Sequence, residues 1–145
     1  MGRRQKSLTS QARREETKDV IAVKESSDRF ISISFKHFCD VDSVGQSFKT
    51  WINDGVISDF FDKLHFVTKN GVTNAMSDGI LVNYSRFPDA TVCDFDCPEN
   101  ISKEENWGVI KFIGGQKRRV VGFLKDNIFY IVFLDRDHRF WKVKR

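Results

Sequence analysis

Lys111, Arg118, Arg119, Tyr130 and His138 fall close together in the last part of the chain. Their types suit one reaction, the cutting of an RNA backbone by attack of its own 2′-hydroxyl. That reaction needs a base for the hydroxyl proton, an acid for the leaving 5′-oxygen and cations for the charge that builds on phosphorus. No metal is obligatory. The ordinary pKa of His138 suits either proton role, and guanidinium groups bind phosphate oxygens in pairs. Adjacent strand residues point to opposite faces, so the sequence leaves open which of Arg118 and Arg119 faces a cleft. The same residues also describe a strand-rich surface with solvated arginines and a histidine that closes a strand end.

Charge concentrates in the same place. Residues 107–145 hold ten Lys or Arg against three acids, residues 30–106 hold six against twelve, and residues 1–29 hold eight against five. The net charge of +4 therefore conceals a polarised chain, +7 at one end and −6 in the middle. A basic rim of this kind points to a polyanion. Lys117, Arg136, Arg139, Lys142 and Lys144 extend that rim and are expected to meet nucleic-acid phosphates.

The elements that must hold these side chains follow from apolar spacing. Residues 107–113, 118–124 and 128–134 are three apolar runs joined by short turn-rich links, the pattern of an antiparallel meander. The third run is apolar on both faces and should lie inside a sheet with something covering each side. Residues 30–37 alternate strictly and predict a half-buried strand. Ser43 and Gln46 have the spacing of a capping box. Val44, Phe48, Trp51 and Ile52, then Ile57, Phe60, Phe61 and Leu64 beyond Asn53-Asp54-Gly55, predict two amphipathic helices or one kinked at Gly55. Trp51, Ile57, Phe60, Phe61 and Leu64 should be buried against the sheet. Asn70-Gly71 should end this unit.

Residues 72–106 read as an irregular insertion, with a broken helix near 75–87 and a short strand near 90–95 ended by Pro98. Residues 1–29 read as a flexible basic arm, whose first fourteen residues contain no acid. The expected fold is thus α+β: an N-terminal strand, a helical hairpin and an antiparallel three-stranded meander, forming one domain over 30–145.

Other classes fit poorly. No apolar run approaches the roughly 20 residues that span a bilayer, and no secretory signal is visible, so a cytoplasmic location without membrane partners is expected. Three cysteines are too few and odd in number for a disulfide framework and should be reduced thiols. His37-x-Cys39 and Cys93-x3-Cys97 supply zinc-ligand types, but not at the spacing of a zinc knuckle. No metal or other cofactor is expected. His65 reads as a surface residue, and Gly114-Gly115 as a hairpin turn rather than a nucleotide cradle.

The stretch Lys117-Arg118-Arg119-Val120-Val121-Gly122-Phe123, then Ile128-Phe129-Tyr130-Ile131-Val132-Phe133-Leu134-Asp135 and His138-Arg139-Phe140, resembles the RelE/ParE superfamily of toxins from toxin–antitoxin modules. The match lies in a basic strand, a hydrophobic strand ending in an acid, and a basic or aromatic tail. It implies a RelE-like endoribonuclease that cuts mRNA at the ribosome without metal and is held in check by an antitoxin protein. Carried over, Arg118 or Arg119 would clamp the phosphate, Lys111 would add a second cation, and His138 would be the general acid or base, with Tyr130 beside them. Members are typically shorter, so the arm and residues 72–106 have no counterpart. Gyrase-poisoning members share the fold without the nuclease chemistry. A ParE-like topoisomerase inhibitor, or a non-catalytic nucleic-acid- or protein-binding module of a phage or mobile element, are the alternatives.

Overall fold

The computed structural model describes residues 30–142, so the expected arm at 1–29 and Lys144 lie outside the described residues. The chain runs β1 (Ser32–Ser34), α1 (Phe48–Asn53), α2 (Ile57–Ser77), β2 (Leu81–Asn83), β3 (Asn106–Ile110), β4 (Arg119–Lys125) and β5 (Ile128–Asp135). The five strands form one sheet in the order β1-β5-β4-β3-β2. β1 is parallel to β5, and the remaining pairs are antiparallel.

β5 is inside the sheet, and its two-faced apolar sequence is answered by a core on each side. On one face Phe129, Ile131 and Leu134 pack with Trp51, Phe60, Leu64 and Val67 from the helices. On the other, Val132 packs with Trp107, Val121 and Phe123 from the sheet and with Phe87, Phe95, Ile101 and Phe140 from flanking segments. Each fully buried aliphatic or aromatic side chain contributes about 1.5–3 kcal/mol, so both layers matter to stability.

The β4–β5 turn is Asp126-Asn127, both at positive φ (53° and 64°), as a tight two-residue hairpin with the strands' own twist requires. Further along, Val121 pairs with Phe133 but Gly122 with Ile131, which leaves Val132 as a bulge. The Cys39 amide donates to the Val132 carbonyl at 2.9 Å, so the chain after β1 is held to that irregularity.

The helical unit differs from expectation at both ends. Ser47, not Ser43, caps α1: its Oγ accepts from the Thr50 amide at 3.2 Å, while Asp42 accepts from the Ser47 amide at 2.8 Å. Gln46 turns inward instead. At the other end the helix does not stop at Gly71 but passes through it at φ 85°, a kink, and runs on to Ser77. Asn70 Nδ2 donates to the Phe66 carbonyl and Asn74 Nδ2 to the Asn70 carbonyl, bridging the break with side-chain bonds. Trp51, Phe60 and Leu64 are buried and Ile57 packs against them, but Phe61 is 50% exposed. Phe61 follows Phe60 directly, and a helix cannot turn both to one face.

The larger correction concerns the sheet. It is mixed and five-stranded: β3, β4 and β5 are antiparallel neighbours within it, β1 lies beside β5, and the expected insertion supplies both the further strand β2 and a wall. β2 pairs with β3 at the edge, and Phe87, Cys93, Phe95 and Ile101 of the following loop form much of the second core. No strand forms near 90–95.

Gly122 is required by the close approach of β5: a Cβ there would collide with the Tyr130 carbonyl and lie 2.9 Å from the Phe129 ring. Gly122→Ala should destabilise the fold by about 1–3 kcal/mol, read as a lower denaturation midpoint. An unchanged midpoint would contradict the bulge geometry.

Candidate functional site

Three polar residues are buried among the described residues, and all stand near the C-terminal end of β5: Asp135 (0% exposed), Arg119 (4%) and Gln46 (5%). The reason is local. Where β5 ends, the chain bends back over the second core, and its amides leave the sheet ladder while still partly or, at Phe140, wholly buried. Each needs a partner. Gln46 Oε1 accepts from the Arg136 amide at 2.7 Å and from Trp51 Nε1 at 3.1 Å. The Asp135 carboxylate accepts from the Arg139 amide at 2.9 and 3.0 Å and from the Phe140 amide at 2.9 Å. Burial raises the Asp135 pKa, and these two amides, then Arg119 and His138, act against that rise.

Arg119 pairs with Asp135 in the β4–β5 register. Its Nε donates to the Lys117 carbonyl and its Nη2 to the Gln116 carbonyl, each at 3.1 Å, which folds the β3–β4 link around the guanidinium. Burial lowers its pKa, while Tyr84 and Asp135 act to raise it. Tyr84 neighbours this guanidinium and stacks on Trp141 with ring centres 4.3 Å apart. Sequence reasoning missed Tyr84, which follows the edge strand in the stretch read as an insertion.

His138 occupies the bend that Asp135 caps, at φ 61°, half-buried. Burial lowers its pKa, the Arg119 and Lys111 charges lower it further, and Asp135 and a backbone bond to Trp141 partly oppose them. Its imidazole is therefore held neutral further into the acid range than an ordinary histidine. Lys111 reaches this end from just beyond β3, with Nζ 5.3 Å from the Phe112 ring centre. Thus His138 lies within the electrostatic reach of Arg119 and, more weakly, of Lys111, and Tyr84 acts on Arg119.

Other expected site residues are not so placed. Arg118 belongs to the helix face, its guanidinium 5.2 Å from the Trp51 ring centre and 3.2 Å from Asp54 Oδ2. Its Nε is buried with no hydrogen-bond partner among the described residues. Arg136 shares the same Asp54 oxygen at 3.2 Å. Arg139 and Lys142 both pair with Asp94, at 2.8 and 2.7 Å, and their bonds lower its pKa, Lys142 foremost. Lys117 is exposed. Tyr130 stands toward the opposite end of β5, stacked on Phe123 at 4.9 Å. At about 3.3 Å per strand residue it is on the order of 15 Å from Asp135, too far to share one phosphate with His138.

The cysteines do not gather. Cys39, Cys93 and Cys97 are unbridged thiols, each raised in pKa by burial, Cys93 to about 11. Among the described residues no group of three or more His, Cys, Asp or Glu is placed to hold a metal ion. Nor is any helix there long and apolar enough to cross a membrane. Comparison with protein-family models, with curated proteins and with solved structures found no match.

Replacing Asp135 by Ala would strand the Arg139 and Phe140 amides in a covered bend. The expected cost is roughly 2–5 kcal/mol, with faster amide exchange at those two positions. A loss under about 1 kcal/mol would mean the bend stands without its carboxylate.

Proposed function

We propose that the chain is a metal-independent endoribonuclease of the RelE-like toxin kind, acting on mRNA at the ribosome and restrained by an antitoxin protein. The observation that carries this reading is His138, a half-buried imidazole in a strained bend with two cations, Arg119 and Lys111, depressing its pKa. A group kept neutral near pH 7 is ready to accept a proton, and cations that disfavour imidazolium in the empty site favour an incoming phosphate. The parallel pairing of β1 with β5 beneath a helical pair supports the resemblance at the level of topology.

The roles divide by exposure. His138 takes the proton of the 2′-hydroxyl, whose oxygen attacks phosphorus. The bond to the 5′-oxygen breaks, and that oxygen leaves with a proton returned by the imidazolium or by water. The products are a 2′,3′-cyclic phosphate and a 5′-hydroxyl. Lys111 and exposed Lys117 meet the phosphate oxygens, whereas buried Arg119 acts as a fixed positive field and orders the Gln116–Lys117 backbone. Arg118, stacked on Trp51, has a structural role in this reading.

In a translating extract with chelator present throughout, the wild-type chain should produce RNA ends carrying 2′,3′-cyclic phosphate. His138→Gln should slow this by on the order of 100-fold to 10,000-fold, and Lys111→Ala by roughly 100-fold, without unfolding the domain. If the wild-type chain cleaves no RNA with or without ribosomes, yet still binds nucleic acid through Lys111 and Lys117, the non-catalytic binding module replaces the enzyme.

A further inference from the structure

The end of the sheet remote from His138 carries a concavity of about 260 Å³ between the residues following β1, the β4–β5 hairpin and the loop before β3. One wall is aromatic: Tyr130 stacks on Phe123 at 4.9 Å, and the His37 ring lies 5.4 Å from Tyr130 and 5.7 Å from Phe123. The rest is polar, with Asn100 and Ser102 on the loop, Lys36 beside His37, and Lys125 facing Glu105 at 3.5 Å.

What distinguishes this cavity is unpartnered hydrogen-bonding capacity. Tyr130, His37 and the exposed Asn100 and Lys36 all line it, and no side chain of the four has a hydrogen bond or ion pair with another described residue. By contrast, Arg118, Arg136, Arg139 and Lys142 are all paired with Asp54 or Asp94. A small pocket with an aromatic wall and a few convergent polar groups is the form of a site for a flat, polar ligand. Its charges select further. Lys36 and Lys125 are balanced by Glu105 and Asp126, so the lining as a whole does not favour a bare polyanion. It suits an uncharged heterocycle, with Lys36 the one lining cation left unpaired among the described residues for a single phosphate at the mouth.

We propose that this pocket takes one unstacked nucleobase of an RNA strand, with its ribose, the base against Tyr130 and His37, its edge hydrogen-bonded by Asn100, and its phosphate at Lys36. The assignment of RNA rests on the ribonuclease reading, whereas nucleobase recognition rests on the pocket alone. An RNA strand reaching from His138 to this pocket over the covering loop would span several nucleotides, so the pocket reads a base at a distance from the cut. Aromatic stacking is tolerant of base identity, and the carboxamide supplies what selectivity there is.

The test uses the full chain carrying His138→Gln, which leaves this pocket intact. It is titrated separately with each of the four ribonucleoside 5′-monophosphates, with ribose 5-phosphate and with inorganic phosphate, while the ring signals of His37 and Tyr130 are followed by NMR. At least one mononucleotide should shift both rings saturably, and the two base-free anions should not. Tyr130→Leu should weaken that binding by about fivefold or more. Because Tyr130 also packs on Phe123, Asn100→Ala and Lys36→Ala provide variants at exposed positions, and each should weaken it while the β4 and β5 amide spectrum stays unchanged. No saturable shift up to about 10 mM, equal shifts with base-free phosphate, or full affinity in all three variants overturns the proposal. Mononucleotide binding by a chain whose wild-type form cuts no RNA would retain the pocket and discard the enzyme. RNA cutting without mononucleotide binding would do the reverse.

Discussion

The fold turns on how the backbone leaves β5. Beyond the end of β5 the backbone leaves the ladder with the Phe140 amide buried and those of Arg136 and Arg139 partly so, and here side chains satisfy them: Gln46 for Arg136, and Asp135 for Arg139 and Phe140. Gln46 sits just before α1 and also holds Trp51, so the same carboxamide fastens the helical layer to the end of β5. Asp135 directs the chain across the opposite face, where Phe140 is fully buried among Phe87, Phe95 and Trp107. A cap of a few hydrogen bonds thereby decides both the second core and the place of His138. The positive φ of His138 belongs to this bend, and the surrounding bonds maintain that costly conformation.

Charge follows a related logic. The basic end and acidic middle of the sequence suggest a polyanion footprint, but much of that polarity is internal complementarity. Asp54 answers Arg118 and Arg136, Asp94 answers Arg139 and Lys142, and Glu105 answers Lys125. The more exposed of these pairs are each worth little in stability, whereas Arg118–Asp54 is largely covered, and together they orient the helix, the loop and the C-terminal segment relative to the sheet. Lys36, Lys49, Lys69, Lys103 and Lys117 are among the described cations left facing solvent without an ion pair, and of these Lys117 and Lys36 stand at opposite ends of the sheet.

Elements with strong periodicity were legible from sequence. The strands around Trp107, Val121 and Ile131 and the helices carrying Trp51 and Phe60 announce themselves by their apolar spacing, and the pairing of β1 with β5 follows from complementary faces. Three-residue β2 shows no alternation, and the loop after it buries Phe87, Cys93, Phe95 and Ile101 one at a time, so neither carries a periodic signal. That gap hid Tyr84. The site was half legible for a similar reason: residue types named His138, Arg119 and Lys111, but strand alternation alone could not place Arg118 on the helix face or Tyr130 at the far end. The burial of Arg119 arises from a carboxylate cap and two backbone carbonyls, none visible before the fold.

The central claim is that burial and two neighbouring cations keep His138 neutral, ready to act as a base. An NMR titration of its imidazole in the intact chain tests this most directly. A midpoint below the ordinary value of 6.5 is expected, moving back up when Lys111 is replaced by Ala. The same depression implies that the stability His138 contributes is present above about pH 6.5 and is lost as pH falls toward its folded-state value, because the unfolded chain binds the proton more readily there. A midpoint at or above 6.5, unmoved by the loss of Lys111, would contradict the account.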